Sequence, residues 1–154
     1  MDSPVLLRIK RLHPEQDGDI ELPRYMSEHA AGMDVRAAVA ESLVLLPGAR
    51  AAVPTGLAMA IPPGFEIQVR PRSGLAVRHG VTVINSPGTI DADYRGEVKI
   101  LLTNLSQKPF AVERGMRIAQ LVVVRLPSVK VVSVTDLEPT DRGDGGFGST
   151  GTQE

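Results

Sequence analysis

The chain has 154 residues, a formal net charge of −1 and no cysteine, and aromatic residues make up 3% of it. Disulfides and cysteine-based zinc sites are therefore excluded, and stable nucleic-acid binding is not expected because no basic block is present. No segment has the apolar length of a signal peptide or a membrane span, so we expect one cytoplasmic domain with no membrane contact.

The sequence has the pattern of short strands separated by turns. Its 15 glycines and 12 prolines favour tight turns, and β-branched residues dominate the apolar segments. In chain order, the predicted strands cover residues 5–12, 32–38, 42–46, 51–53, 57–61, 65–70, 81–85, 97–104, 117–126 and 129–134. A short helical turn is predicted at 74–79. About ten short strands at this spacing indicate an all-β sandwich, jelly roll or barrel.

The composition changes after Glu138. From there on, Phe147 is the one large apolar residue, and such a segment cannot bury enough surface to order itself. We therefore expect a β domain over residues 1–138 and a flexible, glycine-rich tail over 139–154. The tail is not a P-loop, because no lysine and no helix follow its second glycine. Its backbone N–H groups and Arg142 could hold phosphate oxygens, and Phe147 could stack on a base.

Two further segments carry candidate chemistry. In PRSGLA, Arg72 and Ser73 stand where a strand opens into a turn, and they could hold an anion or simply be solvated. In NSPGTIDADYRG, Asp91 could hold and deprotonate a water, Tyr94 could pack on a sugar, and the Asn85 amide suits the edge of uracil. Aspartates are also common turn formers, so a purely structural interpretation of this segment stays open.

Two polar residues interrupt predicted apolar strands. Asp34 lies in AGMDVR and Gln120 lies in RGMRIAQL. A buried polar side chain costs free energy unless it is hydrogen-bonded, so either residue could be a satisfied structural group or part of a site. The three histidines share no spacing typical of metal ligands.

Taken together and in this order, these segments closely resemble the five-motif pattern of the trimeric dUTPase family. The matching segments are AGMDVRAA, PRSGLA, INSPGTIDADYRGEVKI, RGMRIAQL and RGDGGFGSTG, which span residues 31–151. The resemblance implies a distorted jelly roll, or β-clip, and a homotrimer in which three subunits build each active site. It also implies an enzyme that hydrolyses dUTP to dUMP and diphosphate, which supplies dUMP for thymidylate synthesis and keeps uracil out of DNA.

The same resemblance implies roles for individual residues. Asp91 would activate the water that attacks the α-phosphate, and Gln120 would help to hold that water. Asp34 would act through water on a Mg²⁺ ion bound mainly by the triphosphate, so no side chain would be a direct metal ligand. Tyr94 would pack on the deoxyribose and exclude a 2′-hydroxyl. The other substrate-binding residues would be Asn85, Thr89, Ile90 and Lys99 at the uracil, Arg72, Ser73 and Gly74 at the phosphates, and Arg142, Phe147, Ser149 and Thr150 in the lid.

Two alternatives differ from this interpretation. The related dCTP deaminases carry a catalytic glutamate on the strand after the third motif, whereas residues 98–103 here are VKILLT and contain none. A trimeric binding module without enzymatic activity would use the same loops for a protein partner. Release of ammonia from dCTP would favour the first alternative.

Overall fold

The computed structural model describes residues 4–149 and 151, and within them the chain forms twelve strands and two short helices. In chain order these are β1 (Arg8–Arg11), α1 (Pro14–Asp17), β2 (Arg24–Tyr25), β3 (Met33–Arg36), β4 (Leu43–Leu45), β5 (Arg50–Pro54), β6 (Leu57–Ala60), β7 (Phe65–Arg70), α2 (Ser73–His79), β8 (Val81–Val83), β9 (Gly88–Ile90), β10 (Lys99–Asn104), β11 (Phe110–Val112) and β12 (Arg117–Arg125). The all-β prediction is confirmed.

The strands form two larger sheets and two strand pairs, and all of the pairings are antiparallel. One sheet has the order β2-β3-β12-β7-β9 and the other the order β5-β10-β8, while β1 pairs with β6 and β4 with β11. A single hydrophobic cluster contains side chains from both larger sheets, including Ile67 of β7, Ile100 of β10 and Leu121 of β12. With so few aromatic residues, the core consists mainly of valine, isoleucine and leucine.

The long strand β12 lies at the centre of the five-stranded sheet. Its register places Gln120 opposite Asp34 of β3 on one side and opposite Arg70 of β7 on the other. The register shifts between Arg117 and Ala119, as at a β-bulge, and the consecutive residues Ile118 and Ala119 are both buried. The sheet therefore brings two of the predicted site residues, Asp34 and Gln120, side by side.

Most predicted strands and the helical turn are present, with ends that differ by a few residues. Four elements were missed: α1, β2, β9 and β11. Each has four residues or fewer, too short for a periodic pattern to be recognised. β9 begins at the glycine of a Ser-Pro-Gly segment that favours a turn, and it becomes a strand because it pairs with β7.

The strand predicted at 129–134 is wrong. These residues belong to no sheet, and their valines project into solvent, with Val131 91% exposed. β-Branched residues favour a strand only where a partner strand accepts their backbone hydrogen bonds, and this segment finds no such edge within the described chain. From Leu126 to Ser149 the described chain contains turns but no helix or strand. No described helix has the length and apolar character needed to cross a bilayer.

Arg114, which lies between β11 and β12, binds the N-terminal part of the chain to the rest of the β domain through ion pairs. Its guanidinium group pairs with Asp17 Oδ1 at 3.1 Å and Asp19 Oδ1 at 2.7 Å, and it also donates to the Gln16 carbonyl. Asp17 is only 6% exposed, so this contact neutralises a buried carboxylate at the end of α1. The hydrogen bond from Arg114 lowers the pKa of Asp19, and the same bond raises the pKa of Arg114.

Arg114→Met is expected to lower the Tm at pH 7, because the buried Asp17 carboxylate loses its guanidinium partner. The pKa of Asp19 in the folded chain lies below its ordinary value of 3.8. Its pairing therefore stabilises the fold above that value, and this contribution is lost as the pH falls through the lowered pKa. Thermal melts from pH 7 to pH 3 should show the gap to wild type narrowing below about pH 4.

Arg78→Met, at an exposed arginine in the last turn of α2, is the matched control and should leave the Tm nearly unchanged. A Tm gap for Arg114→Met that is equally large at pH 7 and pH 3 would contradict the ion-pair account.

Candidate active site

A cavity of about 430 Å³ opens beside β9 and collects six of the predicted substrate and catalytic residues. Its volume is within the range typical of small-molecule sites. The predicted residues on its wall are Asn85, Thr89, Ile90, Asp91, Tyr94 and Lys99, and the others are Val69, Gly88, Glu97, Val98 and Leu101. The cavity therefore combines an apolar floor with an amide, two carboxylates, a phenol and an ammonium group.

The connection that carries Asn85 crosses between the two larger sheets. β8 pairs with β10 in the three-stranded sheet, whereas β9 pairs with β7 in the five-stranded sheet. The connection at 84–87 spans the gap, and the Ser86 hydroxyl donates to the Val83 carbonyl at 2.7 Å within it. Asn85 is therefore held at the rim of the cavity by strands from both sheets.

Asp91 and Tyr94 occupy the turn that follows β9. The backbone N–H of Tyr94 donates to the Asp91 carbonyl at 3.2 Å, and the Tyr94 hydroxyl donates to the Glu97 carbonyl at 2.9 Å. The Asp91 side chain is exposed on the cavity wall, where a carboxylate can hold and deprotonate a water. Lys99 Nζ lies 3.6 Å from Glu97 Oε2, so its charge is partly neutralised.

A second group of predicted residues surrounds Asp34. Its Oδ1 pairs with Arg72 Nε at 3.3 Å and its Oδ2 with Arg117 Nη1 at 3.1 Å, while Arg72 also donates to the Arg117 carbonyl. Asp34 is only 7% exposed, and each of its carboxylate oxygens has a guanidinium partner. The buried charge is therefore compensated, as expected for a structural aspartate. Two guanidinium groups against one carboxylate leave this cluster positive, which suits phosphate oxygens.

Arg72 is also the residue that precedes α2. Ser73 and Gly74 begin this helix, and the first N–H groups of a helix have no intrahelical partner. Gln120 is adjacent to the cluster through its register with Asp34. The second group therefore combines the predicted phosphate-binding residues with the residue predicted to hold the water.

Sequence reasoning missed Arg117 and Glu97. Arg117 lies in the RGMRIAQL segment, where the sequence pattern points only to Gln120, because Gln120 is the polar residue in an apolar run. Glu97 follows the DADYRG segment, and its Oε1 accepts a hydrogen bond from the Gly56 N–H at 3.0 Å. No local pattern predicts either contact, since the partners are separated by 83 and 41 positions along the chain.

The two groups do not meet within one chain. Asp91 follows Ile90 of β9, which lies opposite Ile67 of β7. Gln120 is on β12, two strands away from β9, and lies opposite Arg70 at the C-terminal end of β7. With about 3.3 Å per residue along a strand and about 4.8 Å between strands, their backbones are on the order of 15 Å apart. Accordingly, neither Gln120 nor Asp34 and its arginine partners line the cavity that contains Asp91.

The predicted lid residues also lie away from the cavity in the described chain. Arg142 Nε donates to the Gly145 carbonyl at 2.7 Å, and Phe147 and Ser149 are exposed. Thr150 lies outside the described residues. Among residues 4–149 and 151, no three histidine, aspartate or glutamate side chains are grouped so that they could hold a metal ion.

Comparisons with known proteins agree with these motifs. The family model described as dUTPase matches residues 18–151. A deoxyuridine 5′-triphosphate nucleotidohydrolase of Rhizobium johnstonii is 56% identical over 151 residues, covering 97% of this chain and 95% of the relative. A Rhizobium etli protein with the same name is 60% identical over 134 residues, covering 86% of each chain.

The fold is also similar to solved structures. A structure of the Staphylococcus bacteriophage 80alpha dUTPase with dUPNHPP has a TM-score of 0.84 and 27% identity, covering 96% of this chain and 99% of that chain. This likeness confirms the distorted jelly roll expected from the sequence. With a family model that covers most of the chain and relatives above half identity, the chain belongs to the dUTPase family.

Proposed function

We propose that this chain hydrolyses dUTP to dUMP and diphosphate, through attack of water on the α-phosphate, in sites that three copies of the chain share. The observation that carries the proposal is the exposed Asp91 carboxylate on the wall of a nucleoside-sized cavity that also contains Asn85 and Tyr94. The names of the Rhizobium relatives support the same reaction. The reaction removes dUTP and supplies dUMP for thymidylate synthesis.

The cavity would hold the nucleoside. The Asn85 amide has both a donor and an acceptor, as the uracil edge requires, and Thr89, Ile90 and Lys99 complete the wall around the base. The Tyr94 ring would pack against the deoxyribose and leave no space for a 2′-hydroxyl. Selection against UTP would therefore be steric.

The reaction itself needs a water held at the α-phosphate. The Asp91 carboxylate would accept a hydrogen bond from this water and take its proton as the new P–O bond forms. The Gln120 amide would fix the water from the other side. The bond between the α-phosphorus and the oxygen that bridges to the β-phosphorus breaks, and diphosphate leaves with that oxygen. No covalent intermediate is required, because the nucleophile is the water.

The positive cluster would hold the triphosphate. Arg72 and the first N–H groups of α2, at Ser73 and Gly74, would contact phosphate oxygens and stabilise the charge that develops on the leaving diphosphate. Mg²⁺ bound mainly through the triphosphate would offset phosphate charge and orient the chain of phosphates. Because Asp34 already pairs with Arg72 and Arg117, it would contact such an ion through water.

Sharing between copies follows from the separation of the two groups. Asp91 and Gln120 lie on the order of 15 Å apart in one chain, by strand and residue spacing, yet the mechanism places both at one water. A neighbouring copy would therefore supply the Gln120 and Arg72 group to the cavity of the first. The tail, which contacts little of its own domain, would close the site of a neighbour through Arg142, Phe147, Ser149 and Thr150.

With Mg²⁺ present, the wild-type protein is expected to hydrolyse dUTP in preference to dCTP, dTTP and UTP. Asp91→Asn should retain dUTP binding but lower kcat by about 100-fold or more, because general-base catalysis is lost. Release of diphosphate and binding of dUTP are the two measurements. Asp93→Asn, on the exposed part of the same turn, is the control and should stay close to wild type.

An unchanged kcat for Asp91→Asn would show that Asp91 is not the general base. Ammonia release from dCTP by the wild type would favour the deaminase alternative, and absence of any turnover would favour a binding module.

Mixed trimers test whether the site is shared. Asp91→Asn and Arg72→Ala are each expected to be nearly inactive alone, but co-expression at equal levels should restore about a quarter of wild-type activity. About three quarters of random trimers are then mixed, and each mixed ring contains one complete site in three.

Arg72→Ala co-expressed with Gln120→Ala is the matched control. Both residues would come from the same copy, so no mixed trimer contains a complete site and activity should stay low. Sharing is refuted if the first pair shows no recovery, or if the control pair recovers equally.

Deletion after Pro139 is expected to leave a folded trimer whose hydrolysis of dUTP is reduced by about 100-fold or more, since the charge-stabilising contact of Arg142 is removed. Gel filtration and circular dichroism check assembly and fold, and kcat/KM checks the reaction. Arg142→Ala in the full chain should reproduce much of the loss. Full activity in the shortened protein would show that the tail is not a lid.

A further inference from the structure

The Tyr94 ring lies directly against the backbone of Gly96. A Cβ atom placed on Gly96 would be 2.7 Å from Tyr94 Cζ and 3.0 Å from Tyr94 Cε2, and it would also overlap the phenolic oxygen. Such distances are below ordinary van der Waals contact between carbon atoms. With the ring in this position, no residue other than glycine fits at position 96.

The backbone conformation is not what requires glycine here. Eight glycines of the described chain have a positive φ, and Gly96 is not among them. An alanine could therefore adopt the same backbone angles without strain. Gly96 is also exposed, so no core packing forbids a methyl group. The three atoms nearest to such a methyl group all belong to the Tyr94 side chain, so this side chain is the obstacle that the structure identifies.

Tyr94 depends on such local contacts because it is not held by a core. Its side chain is 46% exposed. Its hydroxyl donates to the Glu97 carbonyl at 2.9 Å, and this bond bends the ring back over Gly96. A bulkier residue at 96 would push the ring outward and break the bond.

The acceptor of that hydrogen bond is itself fixed. Glu97 Oε1 accepts the Gly56 N–H at 3.0 Å, and the next residue, Val98, donates its N–H to the Leu57 carbonyl at 2.8 Å. These bonds tie the end of the 94–97 turn to the loop between β5 and β6. The ring is therefore positioned by an anchored carbonyl on one side and by the absence of a side chain on the other.

We propose that Gly96 is a positioning residue that sets the sugar selectivity of this site through Tyr94. The proposal rests on the proposed function, in which Tyr94 faces the deoxyribose. A side chain at 96 displaces the ring from the cavity wall, and the space that it vacates admits a 2′-hydroxyl. Gly96 touches no reacting atom and acts on selectivity rather than on the attack of water.

The test is the ratio of kcat/KM for dUTP to kcat/KM for UTP. Gly96→Ala should lower this ratio by about tenfold or more, with the loss for dUTP mainly in KM, because ground-state binding of the sugar is affected. In a Tyr94→Ala background, the same substitution should change the ratio less than about twofold, since residues that act through one another are not additive. Asp93→Ala in the same turn is the control and should leave the ratio unchanged.

A second measurement does not depend on catalysis. The chain has two tyrosines and no tryptophan, so a Tyr25→Phe background makes Tyr94 the only tyrosine and the dominant source of fluorescence. Adding Gly96→Ala should increase quenching of this fluorescence by acrylamide, with the melting temperature close to that of the parent.

The outcomes separate the two proposals. A ratio and a quenching constant that both stay at the parent value would overturn the role of Gly96, as would a full effect of Gly96→Ala on the ratio in the Tyr94→Ala background. If the wild type fails to hydrolyse dUTP but quenching rises in Gly96→Ala, the positioning of Tyr94 by Gly96 stands and the proposed function falls.

Discussion

The register of β12 is the constraint on which the rest of the site depends. Ala119 and Leu121 are buried on one face of this strand, so a slip of one residue would move both to the other face and bring Gln120 to the buried one. The same register sets Gln120 between Asp34 and Arg70. Burial of these apolar side chains in the core therefore positions Gln120, whose own polar interactions could not set the register of the strand.

The charges near β12 show how the buried Asp34 carboxylate is compensated by paired arginines. Asp34 is nearly inaccessible, and its two oxygens pair with Arg72 and Arg117. Removing a charge from water is costly unless partners compensate, and here two guanidinium groups do so. The pairs also restrain both arginines, so that in the proposed function the cation cluster would be ordered before phosphate binds, which would reduce the ordering cost of binding.

The division of the candidate site into two groups has a simple geometric origin. β9 lies at the edge of the five-stranded sheet, and the Asp91 turn leaves it at the end remote from Arg70. Gln120 and Asp34, which would help to complete the cavity, lie on β12 and β3, two and three strands away from β9. In the proposed mechanism, the sheet presents half of the site on each of two surfaces, and association of copies would join the halves.

The sequence by itself determined the all-β class, most of the strands and the segments that carry chemistry, because strand periodicity, glycine and proline positions and motif order are local properties. It could not predict that residues 88–90 form β9, that residues 129–134 are exposed and outside any sheet, or that Asp34 pairs with Arg117. Each of these depends on which backbone or side-chain partner is brought near by distant parts of the chain. Only the tertiary structure decided that Tyr94 rests on Gly96, because the Glu97 carbonyl that holds the ring is itself fixed by bonds to Gly56 and Leu57, distant along the chain.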